Sequence, residues 1–505
     1  MHALLIYPPF PETFFGFRHT LELTGKQAIS PPLGLLTVAA LLPREWHLRF
    51  VDTNVRPLHA DDLEWADIAF ISVMTLQRAP ALDIIARCRA AGVRTVVGGA
   101  LPTSDPRADL GADHVIRNEA ELTLPPFLRD LARGTPQPVY TTAEFCRLAD
   151  TPVPRWDLVD LSAYALMDVQ CTRGCPYECD FCNAALIGGP RHRLKPVTAV
   201  VAELDRLAAL GWRGEVFFVD DNLTASPAYL RTELLPALLA WRRRGGVMPF
   251  HIQASVTFAD DPELLDLLFA AGVNQVFIGI ESLDEACLAE CGKRQNRGRD
   301  LVADVRRIQA GGFTVMAGFI VGFDHDTPDT FARQARFIDE CAIVMPVISL
   351  LLAPPGTRLH ARLAAEGRLG VEGHDGLDGM TNIIPRMGLS QLQDGYHRLV
   401  AELYDASHFY RRARRFITMT RRTPATPRVT RDGLRALPRI LWRLGVRDDH
   451  RRLFWYLLAF TLARRPRMLW FAIMFAVCGY HYRRHCGARQ TAGSTAATLQ
   501  VADVR

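Results

Sequence analysis

Residues 171–182 read Cys171-Thr-Arg-Gly-Cys175-Pro-Tyr-Glu-Cys179-Asp-Phe-Cys182. Four of the eleven cysteines in the chain fall in this window, and the others are scattered. Three thiolates at positions i, i+4 and i+7 of a loop can wrap one corner of a cubane iron–sulfur cluster, because thiolate is the soft ligand that such clusters prefer. The spacing therefore predicts that Cys175, Cys179 and Cys182 bind a four-iron cluster and leave its fourth iron open.

Two other interpretations of these cysteines remain open at this point. A structural zinc site would use the same type of ligand, although zinc sites are usually two ligand pairs separated by a longer loop. An electron-transfer cluster would take Cys171 as a fourth ligand. The tight spacing fits the zinc site poorly.

The cysteine motif follows one strand of a longer strand–helix repeat. The strand candidates are Leu166–Gln170, Val216–Val219, Phe250–Ala254, Gln275–Ile280, Thr314–Ile320 and Val347–Leu352, with helical stretches at 196–210, 227–244, 262–271, 299–311 and 328–341. Six strands with intervening helices predict an open (β/α)6 barrel, whose reactive face lies at the carboxyl ends of the strands.

Residues 1–133 show a shorter alternation of the same kind. Strands are predicted at Ala3–Tyr7, Leu48–Asp52, Ile68–Ser72 and Thr95–Val97, and helices at Leu33–Leu42, Ala79–Ala91 and Leu122–Ala132. This pattern predicts a Rossmann-like α/β domain, with a parallel sheet covered by helices on both faces. Ligands of such sheets bind at the strand carboxyl ends, where Pro8-Pro9, Ser72-Val-Met74, Gly98-Gly99 and Asn118-Glu119 allow close approach.

The remaining boundaries follow from changes in composition. A proline-rich linker is predicted at 134–160, the barrel at 161–372, a helical C-terminal extension at 373–486 and a disordered tail at 487–505. Residues 401–490 contain 20 arginines, no lysine and five acidic residues, a net formal charge of +15 against +5 for the whole chain. No nucleic-acid-binding module accompanies this charge, so nucleic acid is not a predicted partner.

Two apolar stretches of the C-terminal region, Leu453–Leu462 and Met468–Tyr482, are bracketed by arginines. Both are too short to span a bilayer. They are either interfacial helices beside anionic lipid or buried helices whose arginines point to solvent. The N-terminus lacks a charged leader, and no apolar run reaches the length of a membrane-spanning helix, which predicts a cytoplasmic protein with reduced cysteines.

The cysteine motif resembles the signature of the radical S-adenosylmethionine (SAM) superfamily, in which an aromatic residue, here Phe181, precedes the last cysteine. The resemblance covers about residues 160–370. It implies that the open iron binds SAM, which one electron cleaves to methionine and a deoxyadenosyl radical. The implied SAM contacts are Phe181, Asp221, Asn222, Gln253, Ser255, Glu281 and Gly322. Two alternatives remain: Glu281 could cap the next helix, and Gly322 could serve tight packing.

An α/β domain before the barrel is similar to the cobalamin-binding group of this superfamily. The similar segments are Pro31-Pro-Leu-Gly34, Val51-Asp-Thr-Asn54, Val97-Gly-Gly99 and Asn118-Glu-Ala-Glu121. The implied cobalamin contacts are Ser72, Gly98, Gly99 and Glu119. No Asp-x-His-x-x-Gly motif occurs, and His19, His47 and His114 lie in other contexts, so we expect base-off cobalamin without a histidine ligand. A degenerate domain that only helps to bind substrate is the alternative.

The C-terminal region, including Gly479-Tyr-His-Tyr482, resembles the extension of cobalamin-type radical SAM proteins akin to hopanoid C-2 methyltransferase. The resemblance implies methyl transfer to an unactivated carbon of a small, lipophilic molecule. An electron donor such as flavodoxin or ferredoxin is an expected partner, and the arginine-bracketed stretches make peripheral membrane contact a further expectation. It assigns no catalytic side chain. The alternatives are a radical oxidative cyclisation or rearrangement, and a metal-stabilised binding or redox-relay protein without catalysis.

Overall fold

The computed structural model describes residues 1–370, 379–425 and 431–500, with side chains to residue 486 except at 431. The chain divides into two compact units: Met1–Pro11, Gln27–Gln253 and Ala353–Gly367 form the first, and Glu12–Lys26, Ala254–Leu352 and the described part of Arg368–Arg505 form the second. This division does not follow the boundaries expected from composition, which stay predictions. The tail predicted at 487–505 lies outside the residues whose side chains are described.

Every predicted strand is present, with each end within two residues of its expected place. The strands are β1 His2–Tyr7, β2 His47–Asp52, β3 Ile68–Ser72, β4 Arg94–Gly98, β5 His114–Ile116, β6 Val139–Tyr140, β7 Leu166–Val169, β8 Thr172–Arg173, β9 Arg193–Leu194, β10 Glu215–Phe218, β11 Phe250–Ala254, β12 Val273–Glu281, β13 Thr314–Val321 and β14 Met345–Leu350. In the first unit β7, β10 and β11 are parallel, and in the second β12, β13 and β14 are parallel.

The helices also follow the predicted pattern. They are α1 Arg18–Thr24, α2 Leu33–Leu41, α3 Ala60–Trp65, α4 Arg78–Ala90, α5 Ala100–Ser104, α6 Ala120–Ala132, α7 Ala184–Gly188, α8 Val197–Ala209, α9 Pro227–Tyr229, α10 Leu235–Arg243, α11 Pro262–Ala271, α12 Glu285–Glu290, α13 Leu301–Ala310, α14 Asp329–Glu340, α15 Arg358–Ala365, α16 Leu389–Tyr404, α17 Ala406–Met419, α18 Arg431–Trp442, α19 Arg451–Arg464 and α20 Leu469–Gln500. The helix expected at 227–244 is interrupted by a π-helical turn at Leu230–Leu234.

The N-terminal sheet is parallel throughout, in the order β2-β1-β3-β4-β5-β6. Successive side chains of β1 alternate between two cores, because strand residues point to opposite faces. Leu4 and Ile6 join the core formed with α3, α4 and α5, whereas Ala3 and Leu5 join the core formed with α2 and α6. The Rossmann-like architecture predicted for this region is therefore confirmed.

Two strands of this sheet, β5 and β6, were not predicted. β6 falls inside the expected linker and pairs with β5, with Ile116 opposite Tyr140. The Tyr140 hydroxyl donates a hydrogen bond to Asp130 of α6 over 2.9 Å. A two-residue strand is too short to show a period of two, so only its partners identify it.

The helices of the second unit enclose the longer of the two apolar C-terminal stretches. Residues Phe475–Tyr482 of α20 are buried, and Phe14 stacks on Tyr482 with ring centroids 4.5 Å apart. For Met468–Tyr482 the burial agrees with the buried-helix interpretation, except that Arg483 pairs with Asp448 instead of pointing to solvent. Among the described residues, no helix combines the length and apolar character that crossing a membrane requires.

Candidate functional site

The three predicted cluster cysteines lie on the loop between β8 and α7. Cys175 and Cys179 are half-buried and Cys182 is exposed, whereas Cys171 is buried. Burial, with the nearby charge of Asp220, raises the pKa of the Cys171 thiol well above its ordinary value. Cys171 is therefore a protonated, enclosed thiol, while the loop cysteines are within reach of an incoming cluster.

In the part of the chain that the structure describes, no group of three His, Cys, Asp or Glu side chains is placed to hold a metal ion. The three predicted cluster cysteines share one loop. Their assignment as ligands of a four-iron cluster stays a prediction.

The cluster loop is held at its base by close backbone contacts. Gly174 has a positive φ of 89°, and a Cβ there would lie 2.7 Å from the carbonyl oxygens of Gly188 and Gly189. The Cys175 N–H donates to the Gly189 carbonyl over 3.2 Å. Only glycine permits this approach, which places Cys175 directly after a fixed turn.

Asp220, which the sequence analysis passed over between Val219 and Asp221, anchors the start of this loop. It is fully buried and accepts hydrogen bonds from the Thr172 hydroxyl at 2.6 Å and the Cys171 N–H at 3.1 Å. Burial raises the pKa of Asp220 to about 7, and the bonds from Thr172 and Cys171 lower it only in part. The predicted SAM contacts Asp221 and Asn222 follow it: burial raises the pKa of Asp221, and Asn222 accepts a hydrogen bond from Thr224.

In the second unit, Glu281 ends β12 in an unusual conformation. Its φ is 64°, a left-handed value that costs a non-glycine residue roughly 1–2 kcal/mol and that recurs at functional sites. Lys293 donates to its carboxylate over 2.8 Å. The helix-capping alternative is wrong, because Asp284 caps α12 by accepting bonds from the N–H groups of Ala286 and Cys287. The SAM contact of Glu281 stays a prediction.

The other predicted SAM contacts also lie at strand ends or on the cluster loop. Gly322 follows β13 with a φ of 115°, and a Cβ there would lie 3.1 Å from Leu392, so the backbone is closely packed at this glycine. Its SAM contact stays a prediction. Gln253 and Ser255 lie at the carboxyl end of β11, and Ser255 accepts a hydrogen bond from Thr257. Phe181 is half-buried on the cluster loop.

The glycines predicted to approach cobalamin are already in close contact with neighbouring backbone. Gly99 has a φ of 104°, and a Cβ there would lie 2.8 Å from the Val73 amide nitrogen and carbonyl oxygen and 3.0 Å from the Ser72 hydroxyl. A Cβ on Gly98 would lie 3.2 Å from the Ile116 carbonyl oxygen. A bulky residue at Gly99 would therefore clash with the backbone of the loop after β3, and its effect would not be limited to blocking a cofactor.

Glu119 joins the N-terminal sheet to the cluster loop. Its buried carboxylate pairs with Arg193 and, over 3.1 Å, with Arg173, and it accepts the Cys146 N–H over 2.6 Å. Burial alone would raise the pKa of Glu119, but the hydrogen bond from Arg193 and the charge of Arg173 outweigh it and lower the pKa. Glu121 pairs with Arg173 over 3.0 Å. Both arginines flank the cysteine loop in sequence, so these ion pairs position that loop.

A row of side chains on β7, β10 and β11 was also missed. Asp168, Phe217 and His251 are in register on one face, while Phe218 and Phe250 stack on the opposite face near Trp241 of α10. Asp168 Oδ1 and His251 Nε2 are buried without a hydrogen-bond partner in the described part of the chain. A carboxylate in the middle of an apolar strand was the signal that could have identified this row.

Burial sets the charge state of both polar groups in this row. It raises the pKa of Asp168 to about 7, against a hydrogen bond from Ser30 that lowers it, and it lowers the pKa of His251 to about 4. Burial, and after it the charges of Asp52 and Asp168, raises the pKa of Tyr7 at the end of β1. Asp168 also accepts the hydrogen bond from Ser30, just before α2, so the row has contacts with the N-terminal region.

The two sheet histidines considered as cobalt ligands lie away from those ends. His47 begins β2 and His114 begins β5, where its ring packs on Phe127 and contacts the Gln137 carbonyl. Strands run from amino to carboxyl end, so both histidines are at the opposite edge of the sheet. This placement agrees with the expectation of cobalamin without histidine ligation.

Comparison with known proteins identifies three regions. Residues 27–128 match the B12 binding domain, residues 169–338 match the radical SAM superfamily, and residues 357–492 match a domain of unknown function (DUF4070). The chain is 37% identical to the uncharacterized methyltransferase sll1242 of Synechocystis sp., over 96% of the chain and 92% of that protein. It is 33% identical to the hopanoid C-2 methylase of Rhodopseudomonas palustris, over 90% of the chain and 88% of the methylase.

Solved structures show the same fold at low sequence identity. The radical SAM methyltransferase TsrM of Kitasatospora setae, solved with cobalamin and a [4Fe-4S] cluster, matches 78% of this chain and 85% of its own at 17% identity and a TM-score of 0.59. The cobalamin-dependent enzyme OxsB matches 100% of this chain and 80% of its own at 14% identity and a TM-score of 0.59.

The family and the fold together identify the cofactors as a [4Fe-4S] cluster, SAM and cobalamin. The donor set fits them: three thiols of limited burial lie on one loop, and β3 and β4 of the N-terminal sheet end in Ser72 and Gly98. The relatives that match nearly the whole chain are methyltransferases. The chain belongs to the cobalamin-dependent radical SAM methyltransferases, the family that includes the hopanoid C-2 methylase.

Proposed function

We propose that this enzyme methylates an unactivated carbon of a small, lipophilic molecule. One observation carries the proposal: ion pairs of Glu119 with Arg173 and Arg193 connect the N-terminal sheet to the cluster loop within one compact unit. This connection favours chemistry that needs both the cluster and the cofactor of the sheet. The similarity to a hopanoid C-2 methylase supports a lipophilic substrate.

In this proposal Cys175, Cys179 and Cys182 hold the cluster, and Asp220 fixes the loop that carries them. When bound, the cofactors supply a methyl carrier and the electron that cleaves SAM. Asp221 and Asn222 would offer oxygen atoms to the ammonium and ribose hydroxyl groups of SAM. Glu281 stays a separately predicted SAM contact.

The face formed by β7, β10 and β11 is the proposed wall beside the substrate. Phe217 makes it apolar, and neutral His251 and the raised-pKa carboxyl of Asp168 add two hydrogen-bonding groups. Mostly apolar walls with a few placed polar groups are typical of small-molecule sites. This composition suits a lipophilic substrate better than a charged one, because a charge there would lose its hydration.

The test is an anaerobic incubation with SAM carrying a trideuterated methyl group and an apolar substrate such as a hopanoid. We expect a product heavier by one trideuteromethyl group, with one deoxyadenosine and one S-adenosylhomocysteine per product. A modified product with deoxyadenosine but no S-adenosylhomocysteine would replace the proposal by oxidative cyclisation or rearrangement. The Cys182→Ala variant is the control for cluster-independent reactions.

Two partners belong to the proposal. Flavodoxin or ferredoxin would deliver the electrons, which reduction of the cluster by either protein in place of a chemical reductant would test. A peripheral membrane contact would bring the enzyme to a lipophilic substrate, and the basic C-terminal region supports such contact.

We also propose that cobalamin binds base-off without a histidine beneath the cobalt. The sequence contains no Asp-x-His-x-x-Gly motif, and His47 and His114 lie at the amino edge of the sheet. Electron paramagnetic resonance of the reduced holoenzyme should lack nitrogen superhyperfine splitting. A clear nitrogen pattern would contradict the proposal.

A further inference from the structure

The helix α19 is apolar on two faces, and the described part of the chain covers one of them. Phe454, Leu457, Leu458 and Thr461 form its buried face, toward α17 and α20. On the other side lie Trp455, Tyr456 and Leu462, about half exposed at 47%, 54% and 53%, with Ala459 and Ala463 completing the same stripe. We call these five residues the aromatic stripe. A helix that is apolar all round normally has a second apolar neighbour.

The stripe continues onto the turn before α19. The Trp455 indole N–H donates to the Gly445 carbonyl over 2.9 Å, which places the ring beside a turn that also carries exposed Val446. Trp442, at the end of α18, is 57% exposed. Exposed tryptophan and tyrosine with neighbouring apolar residues are typical of surfaces that lie in the headgroup region of a bilayer.

The charges near the stripe are mostly positive, although exposed Asp449 stands just before α19. Arg451, Arg452 and Arg464 are exposed at the two ends of α19, and in the described C-terminal region no carboxylate pairs with them. Arg414 lies over the Tyr456 ring at 4.6 Å. Two arginines in the first turn oppose the helix macrodipole, which favours negative groups there, so helix stability does not explain them.

We infer that the aromatic stripe and its arginines form a docking surface for an anionic lipid membrane. The arginines complement anionic headgroups, and the stripe offers apolar side chains to the region beneath them. A second copy of the chain fits less well, because a symmetric dimer through this surface would bring the same arginines together. At 14 residues α19 is about 21 Å long, too short to cross a hydrocarbon core of about 30 Å.

The inference names the surface for the membrane contact of the proposed function, on which it rests for its biological purpose, but its test needs no catalysis. Full-length holoenzyme is sedimented with vesicles of phosphatidylcholine alone or mixed with phosphatidylglycerol. We expect binding to the anionic vesicles only, weakened by added salt, since exposed charges are screened beyond about 8 Å at physiological ionic strength.

Leu462→Ser should weaken vesicle binding about tenfold, because it removes one buried apolar side chain from the contact. Leu82→Ser on α4, also exposed, is the matched control and should bind as the unaltered protein does. Arg451→Gln with Arg452→Gln should reduce the salt dependence. Unchanged vesicle binding in both the Leu462 and the arginine variants would overturn the inference, as would a dimer that Leu462→Ser dissociates in protein that binds no vesicles.

The two proposals fail in different ways. Vesicle binding through this surface without any methylated product would support the docking surface and contradict the proposed function. A methylated product in detergent, with no vesicle binding, would support the proposed function and contradict the docking surface.

Discussion

The cluster loop and the strand-end loops of the N-terminal sheet lie in one compact unit. Their predicted ligand-binding residues differ in how far they are already in contact with the rest of the protein. On the cluster loop, Cys175 and Cys182 are half-buried and exposed, while the surrounding backbone does the structural work. On the sheet, Gly99 and Glu119 are already engaged, one by close backbone contact and the other by ion pairs. A thiolate ligand must stay accessible until its metal arrives, whereas a strand-end residue can also hold two loops together.

Removal of a cluster cysteine should have the largest effect. Cys175→Ala, Cys179→Ala and Cys182→Ala should each lose the cluster and SAM cleavage, whereas the anaerobically reconstituted parent should bind about four irons per chain. Cys171→Ala should keep both, because Cys171 is buried at the start of the loop and is not one of the three predicted ligands. Iron and sulfide analysis measures the result. Loss of the cluster in Cys171→Ala would contradict the prediction that Cys175, Cys179 and Cys182 are sufficient to bind it.

Asp168, within β7, should make stability depend on pH. Its folded pKa of about 7 lies above the unfolded value of 3.8, so stability should fall as pH rises through that window. Asp168→Asn should remove this loss, up to roughly 4 kcal/mol by pH 8. Denaturant unfolding at several pH values measures it, with exposed Asp150→Asn as control. Parallel curves for the parent and Asp168→Asn would show that the carboxyl is ionised in the folded protein.

Glu119→Gln separates a structural from a cofactor-binding role. Removing one partner of a buried ion pair should lower the free energy of unfolding by roughly 3 kcal/mol, because Arg193 loses its countercharge. Since the pKa of Glu119 is lowered, its contribution should be present above the ordinary glutamate pKa and lost as pH falls through the folded value. Exposed Glu144→Gln is the control. Normal stability with lost cobalamin binding would make Glu119 a cofactor contact instead.

Gly99→Ala should have a smaller effect, by about 2 kcal/mol, because it combines a left-handed φ with a clash against Val73. Gly92→Ala has a positive φ of 73° but open space around it, so it should cost less. Thermal unfolding and cobalamin titration of both variants measure the two contributions. Equal stabilities would mean that the loop after β3 yields easily, and that Gly99 is free to serve the cofactor.

The sequence alone determined the fold class, most of the strands and helices and the position of the cysteine loop, for physical reasons that are local. Strand and helix periods set which residues face a core, and cysteine spacing sets which thiols can share a cluster, so both can be read from neighbours in the chain. The tertiary structure alone decided the roles of Asp220, Glu119 and Asp168. It also decided which face of α19 the described part of the chain leaves exposed. Each depends on a partner far away in sequence, as Glu119 depends on Arg193 and Asp220 on Thr172. Burial and the charges of those partners then set the pKa values of these carboxyl groups, and no pattern of neighbouring residues in the sequence predicts them.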